Sequence, residues 1–360
     1  MVVGRGAVAA LDPGFWRGKR VLLTGHTGFK GSWAAIWLRE FGAEVTGLAL
    51  APDQSPSLFD LAAVESLTDS LIVDLRDAGA VDAALAGRDF DLVLHMAAQP
   101  IVRTAIADPV ATFASNVMGT VHLLQALRAQ RDLKAVLAIT SDKVYANAET
   151  GRAFAEGDAL GGKDPYSASK AASEIAVQSF AKSYFDPAGV PLATARGGNV
   201  IGGGDCSPDR IVADIVRAAR AQRPVVLRHP EATRPWQHVL DCVAGYLVYL
   251  QALASDPTTP RAMNFGPKPG GRAVSVGELA TLGIEALGAQ PWRHEPDLRS
   301  LEAKSLAIDA SLARRVLGFE SQYDAPQAVT LTMDWYRRNA DGGDALALCR
   351  TQIADYEGRA

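Results

Sequence analysis

The chain is poor in cysteine: Cys206, Cys242 and Cys349 are all it has in 360 residues. Odd in number and far apart, they exclude a disulfide framework and a cysteine-built zinc site, and they suit a reducing compartment. No metal centre is expected. A surplus of charge is also missing. Against 36 lysines and arginines stand 40 aspartates and glutamates, a formal net charge of −4. With no long basic run, nucleic acid and anionic membrane surfaces are not expected as partners. Long apolar runs are absent too: the most apolar stretch, Cys242–Leu250, falls far short of a membrane span. At the N-terminus, MVVGRGAVAALDPGFW breaks its short apolar run at Asp12 and Pro13, too early for a signal peptide. No internal repeat and no low-complexity linker is visible. These absences point to a soluble, cytoplasmic protein of ordinary globular composition, long enough for two or three structural units.

What the chain does have is strand and helix in alternation. Arg20–Gly25 reads as a buried strand, Phe29–Phe41 as an apolar helix and Glu44–Leu50 as a second strand. Between the first two, Gly25, Gly28 and Gly31 form GxxGxxG. A strand, spaced glycines, a helix and another strand make a dinucleotide-binding unit, in which the helix N-terminus favours a pyrophosphate. The alternation continues with strands at Leu71–Leu75 and Asp91–Ala98 and helices at Ala78–Ala86 and Asp108–Gln130. Such a succession predicts an α/β, Rossmann-type doubly wound parallel sheet, with ligands at the carboxyl ends of its strands.

The stretch from Ala135 to Lys170 carries the chemistry. An apolar strand, Ala135–Thr140, ends in Ser141, Asp142 and Lys143, and a Gly-rich connection then leads to Tyr166-Ser-Ala-Ser-Lys170 at the start of a helix. Tyr and Lys four apart share a helix face. An ammonium there would favour the phenolate and turn Tyr166 into a base.

Beyond the strand Leu192–Arg196 the pattern becomes irregular in GGNVIGGGDCSPDR. Helices are expected near 211–222 and at Leu240–Leu253, and short strands at Pro224–Arg228 and Met263–Phe265, the last completing the sheet. Val276–Leu287 and Ala310–Leu317 read as helices of a smaller, interleaved C-terminal lobe. We therefore expect residues 14–196 and about 236–266 to form the dinucleotide half. Residues 197–235 and 267–360 would form a substrate-binding lobe, with 1–13 an extension.

TGHTGFKG, the HMAAQ strand end, SDK, PYSASK and ARGGNVIGGGD together resemble the extended short-chain dehydrogenase/reductase family. Within it the likeness is to the sugar-nucleotide 4,6-dehydratases. TGHTGFKGSW, TSDKVY, GGKDPYSASK and RPWQHVL point to those acting on CDP-glucose. Relatives acting on other bases usually carry Thr-Asp-Glu where Ser141-Asp142-Lys143 stands. The resemblance implies a reaction with no net redox: C4 oxidation by NAD⁺, loss of water across C5–C6 and hydride return to C6. It implies that Tyr166 takes the C4 hydroxyl proton, that Lys170 lowers its pKa and holds the nicotinamide ribose, and that Ser141 bonds the sugar oxygen. Asp142 would protonate the departing C6 hydroxyl. Lys143 stands where related enzymes place the base for C5, and either the base or an electrostatic partner fits it. An ammonium there would lower the Asp142 pKa, whereas the acid role needs it raised by burial.

For the cofactor, the resemblance implies NAD, contacted by Gly25, Thr27, Gly28, Phe29, Lys30, Gly31, Asp74, Leu75, Ala97, Ala98, Gln99 and Thr140 besides Tyr166 and Lys170. The residues leave NADP open. Leu48–Ala51 is apolar where an acid normally accepts the ribose hydroxyls, and His26 and Lys30 in the glycine loop could tolerate a 2′-phosphate. Asp74 reads either as an adenine contact or as a helix cap. The substrate candidates are Asn199, Arg210 and Arg234, arginines suiting a diphosphate, then Asn264, Arg299 and Glu302. Asn116 reads as a backbone support, and His95 and His238 as structural. Pairing through the Asn116 and Tyr166 helices, as the resemblance implies, would give a homodimer. Two rivals stand beside the dehydratase: a sugar-nucleotide 4-epimerase, or a dehydratase for another base, on the same fold, and a non-enzymatic NAD-binding regulator.

Overall fold

The computed structural model describes residues 11–296 and 306–358. Its centre is a seven-stranded sheet: β1 (Arg20–Thr24), β2 (Glu44–Ala49), β3 (Asp69–Ile72), β4 (Leu92–His95), β5 (Ala135–Ile139), β6 (Leu192–Gly197) and β7 (Ala262–Phe265). They lie in the order β7-β6-β5-β4-β1-β2-β3, and every neighbouring pair is parallel. Val21, Leu22 and Leu23 are fully buried in succession, as a strand covered on both faces requires. The chain builds outward from β1 to β3, then crosses back to β4 on the other side of β1. That reversal opens a crevice at the carboxyl ends of β1 and β4.

Helices cover both faces. On one lie α1 (Phe29–Glu40) and α6 (Val239–Ser255); on the other lie α2 (Ala78–Leu85), α3 (Gly119–Leu127) and α4 (Pro165–Phe180). The chain reaches α3 through a separate short helix, Val102–Ala107, which the apolar pattern did not reveal. Asp108 then caps Pro109–Phe113 by accepting from the Ala111 amide. A π turn at Ala114–Met118 follows before α3 resumes as Gly119–Leu127. Such bulges gather at functional sites, and this one brings Asn116 inward. The strand expected at Leu71–Leu75 starts two residues earlier, because β3 is an edge strand paired on one side, its register set by Thr46 opposite Asp69.

The irregular stretch after β6 leads into a small lobe in which α5 (Ile211–Arg220) and α9 (Ala325–Ala340) pack on α7 (Val276–Leu287), and a short strand, Val226–Leu227, pairs with Arg293–His294, while α8 (Ser311–Leu317) packs on β7 of the sheet. The final helix, α10 (Ala345–Tyr356), returns to the sheet's helical layer. Trp37 of α1 meets Tyr356 edge to face at 5.4 Å and donates to Glu357. Neither α9 nor α10 was foreseen. Among the described residues no helix is long and apolar enough to cross a membrane.

One buried polar network ties the two parts together. Arg196 at the end of β6 makes a two-point ion pair with Glu174 of α4, with both contacts at 2.9 Å and the side chains 2% and 0% exposed. The Thr140 and Thr194 hydroxyls donate to the same carboxylate, and Arg196 reaches on to the Tyr145 hydroxyl and the Glu156 carbonyl. Removing one partner of a buried pair strands a charge, at about 3–5 kcal/mol. The network holds the helix of Tyr166 and Lys170 against the strand that feeds the lobe.

Candidate active site

The glycine loop comes first. Gly25 adopts φ +77°, and a side chain on it would strike the Ala97 amide at 2.8 Å; one on Gly31 would strike the Gly25 carbonyl at 2.0 Å. Only glycine permits this turn and this close packing of helix on strand. The loop opens into a cleft of about 530 Å³ whose wall includes Gly25, Thr27, Gly28, Phe29, Lys30, Gly31, Asp74, Leu75, Ala97, Ala98, Gln99 and Thr140. All the expected cofactor residues therefore share one cavity with Ser141, Asp142, Lys143, Tyr166 and Lys170. Backbone amides at the start of α1, a Cβ-free turn and an acid at the far wall form a donor set that suits a dinucleotide.

Several details correct the sequence reading. His26 is fully buried, its ring joined to the Ser70 hydroxyl at 2.7 Å, and burial lowers its pKa to about 4. It is a neutral strut under β2 and offers no cation to a 2′-phosphate. The Lys30 ammonium turns inward, 5.8 Å above the Tyr246 ring. Asp74 does not cap α2, since Asp77 does so by accepting from the Ala80 amide. Instead Arg76 holds the Asp74 carboxylate, and that hydrogen bond keeps its pKa below the ordinary range. The Thr140 hydroxyl is committed to Glu174 at 2.5 Å, so only its backbone and methyl group face a ligand.

Local sequence places the catalytic candidates. Asp164 caps α4 in a reciprocal box with Ser167, and Pro165 opens the first turn. This fixes Tyr166 and Lys170 on the face toward β5. Ser141 begins a short helical turn, Asp142–Val144, by accepting from the Lys143 amide at 3.2 Å, and its hydroxyl donates to Asp142 Oδ1 at 3.0 Å. Asn116 joins the halves of this wall, bonding the Gln99 backbone in both directions and donating to the Ser169 hydroxyl at 2.9 Å. His95 is spanned by the Thr24 and Thr120 hydroxyls and His238 accepts from the Leu240 amide; both are buried parts of the scaffold.

The electrostatics are set by burial. Asp142 is 1% exposed, and its Oδ2 has no hydrogen-bond partner. Desolvation raises its pKa against the opposing pull of Lys143, Ser141, Arg234 and Lys30. The shift is toward the acid form despite the neighbouring Lys143, whose ammonium lies 5.8 Å from the Tyr166 ring centroid. Lys170 donates to the Ile139 carbonyl at 3.1 Å, and burial, with the Lys30 charge, lowers its pKa to about 7. Tyr166 differs from expectation: desolvation raises its pKa, with Ser141 and Arg210 pulling the other way. In the protein alone Tyr166 is therefore a neutral phenol, held so by its burial. It needs a further positive charge in the cleft to become a base.

A second cavity of about 420 Å³ adjoins the first and shares Lys143, Asn199 and Arg210 with it. Arg234 lines it, as do Arg103, Arg217 and Arg228, which the sequence reading did not single out. Arg103 came from the unforeseen helix, and isolated arginines carry no spacing signal. Asn199 Oδ1 is buried without a hydrogen bond, and Arg210 donates to the Pro100 carbonyl at 3.2 Å. Asn264 does not belong here. It is fully buried, with its amide accepting from Tyr145 and donating to the Phe154 and Asp309 carbonyls. It is a structural member of the Arg196 network. Arg299 and Glu302 lie outside the described residues. Among the described residues no group of side chains could hold a metal ion.

The profile of the NAD dependent epimerase/dehydratase family matches residues 21–266. CDP-glucose 4,6-dehydratase of Salmonella typhimurium strain LT2 is 40% identical over 96% of this chain and 98% of its own length. Among solved structures, dTDP-glucose 4,6-dehydratase from Streptomyces venezuelae with NAD and TYD bound is 25% identical. Its TM-score is 0.76, over 91% of this chain and 99% of that one. UDP-glucose 4-epimerase from Thermus thermophilus, in complex with NAD, is also 25% identical, with TM-score 0.75 over 88% and 99% of the two chains.

Proposed function

The chain belongs to the NAD dependent epimerase/dehydratase family, and from that premise we propose that it is a lyase converting CDP-glucose to CDP-4-keto-6-deoxyglucose. The observation that carries this reading is Asp142, an acid buried beside Tyr166 and Lys170 whose pKa burial raises. A 4-epimerase needs the tyrosine and the lysine but not this acid. NAD, when bound, accepts hydride from C4 and returns it at C6.

In this reading Tyr166 takes the C4 hydroxyl proton, Lys170 steadies the ribose and the local charge, and Ser141 bonds the sugar oxygen. Asp142 protonates the C6 hydroxyl as it leaves. General acid assistance is needed because hydroxide is a poor leaving group. Lys143 faces the same space and takes the C5 proton when neutral, or steadies the enolate when charged. Asn199, Arg210 and Arg234 hold the diphosphate in the second cavity. Residues 14–196 and about 236–266 serve the cofactor, and the remaining lobe serves the sugar nucleotide.

The test is incubation with CDP-glucose and a small, catalytic amount of NAD⁺. We expect a 4-keto-6-deoxy product and no build-up of NADH, because each hydride returns to the sugar. Stoichiometric NADH would identify an ordinary dehydrogenase, CDP-galactose an epimerase, and no turnover a regulatory protein. The same assay with UDP- and dTDP-glucose reads the base preference.

The protein also acts as a homodimer in this reading. Ile106 of the helix Val102–Ala107, Val110 and Phe113 of the helix Pro109–Phe113, Met118 at the end of the π turn and Ile175 of α4 are exposed, Val110 by 79% and Ile175 by 59%. These apolar groups fit a second copy packed helix to helix. Light scattering should give twice the chain mass, with Val110→Asp and Ile175→Asp together shifting it to one. A monomeric parent rules the pairing out.

A further inference from the structure

Resting on the dehydratase reading, which seats a diphosphate in the second cavity, we propose that Asp209 is a built-in substitute for that diphosphate. Its carboxylate holds Arg103 and Arg228 together while the cavity is empty, and it gives them up when a nucleoside diphosphate enters. Asp209 then sets how tightly the substrate is held, because each molecule that binds must displace it.

The arrangement comes from three separate segments. Arg103 stands on the short helix Val102–Ala107, Arg228 follows the strand Val226–Leu227, and Asp209 closes the irregular stretch before α5. All three line the second cavity. One oxygen, Asp209 Oδ1, faces both guanidinium groups, at 3.4 Å from Arg103 and 3.3 Å from Arg228. Two cations converging on one point repel each other unless an anion lies between them. The backbone keeps that anion in place: Asp209 adopts φ +55°, a left-handed conformation that aspartate tolerates better than most residues. Next to it, Arg210 donates to the Pro100 carbonyl at 3.2 Å and fastens the same loop near the helix that carries Arg103.

Such a hold is one that a substrate can break. Well-formed charge-assisted hydrogen bonds close to about 2.7–2.9 Å, and both contacts are longer. The side chains are also partly exposed, Arg103 by 49%, Asp209 by 33% and Arg228 by 29%, and exposed ion pairs are weak. A diphosphate ester brings two negative charges and more acceptor oxygens than one carboxylate, and the arginine fork suits it. Once displaced, the Asp209 carboxylate can turn to water.

The experiment is titration calorimetry of the full chain with CDP, UDP and dTDP, and with the matching nucleosides, which carry no phosphate. Asp209→Asn removes the charge and keeps a residue that accepts the left-handed turn. It should tighten each diphosphate that the parent binds by at least about fivefold, the worth of an exposed ion pair at the upper end of its range. Nucleoside affinity should not change. Asp209→Gly, equally at ease at positive φ, should do the same and serves if the asparagine protein fails to fold. Arg228→Gln should weaken the diphosphates, and with Arg103→Gln and Arg228→Gln both present the Asp209 change should bring no gain. Diphosphate binding weakened or unchanged by the Asp209 variants would overturn the proposal and leave Asp209 a clamp on its loop. A gain that survives loss of the two arginines, or that nucleosides share, would overturn it as well, as would a parent that binds none of the diphosphates. A parent that binds CDP but makes no 4-keto product from CDP-glucose would instead overturn the dehydratase reading alone.

Discussion

Tyr166→Phe should lower turnover of CDP-glucose by about 10²–10⁴-fold, the usual worth of a positioned proton-transfer group, with little change in NAD binding. The substitution removes one oxygen from a ring that is already buried, and Asp164 and Pro165 still start the helix. Lys170 keeps its bond to the Ile139 carbonyl, so the cofactor wall stays in place. What disappears is the group that receives the C4 hydroxyl proton, without which the sugar cannot be oxidised. Steady-state rates and NAD titration by protein fluorescence measure the two halves of this expectation. Turnover within tenfold of the parent would remove Tyr166 from the role of base.

The second large effect separates oxidation from elimination. With Asp142→Asn the base, the lysine and the serine remain, so C4 should still be oxidised, and the reaction should then stop. An amide has no acidic proton to give the C6 hydroxyl, and general acid assistance is worth about 10²–10⁴-fold. The amide also fits the site, since it matches the carboxyl group in shape and still accepts from Ser141. A single-turnover experiment should show absorbance of enzyme-bound NADH rising and persisting, where the parent shows a transient. No NADH at all would tie Asp142 to oxidation or to folding. Product at the parental rate would move the acid elsewhere, with Lys143 the first residue to test.

The sheet and its cleft were legible because their signals are local. An apolar run between turn residues, glycines at fixed spacing and a Tyr/Lys pair each occupy one short segment. Features decided by distant partners were not legible. Asn264 looked like a ligand residue until Tyr145, Phe154 and Asp309 converged on it from three segments. His26 looked like a surface cation in a glycine loop, yet β2 and Ser70 enclose it. The Tyr166 phenol was expected to acidify, but its burial by distant parts of the chain raises its pKa instead. The two C-terminal helices are a different matter. Asp324 and Gln327 form a capping box with Pro326 in the first turn, a local signal that the sequence displays.

The place of β7 in the sheet bears on how the chain is made. The strand pairs with β6, yet it arrives only at Ala262, after the irregular stretch and α5 and α6 have been synthesised. A ribosome adds roughly 5–20 residues each second. For some seconds the nascent sheet therefore ends in a bare parallel edge at β6, the type of surface that recruits foreign strands. Moreover, Arg196 sits on that edge, and its partners Glu174 and Tyr145 have already emerged by then. The ion pair can close before the last strand docks, so the half-made sheet carries this charge already paired while its backbone edge waits for β7.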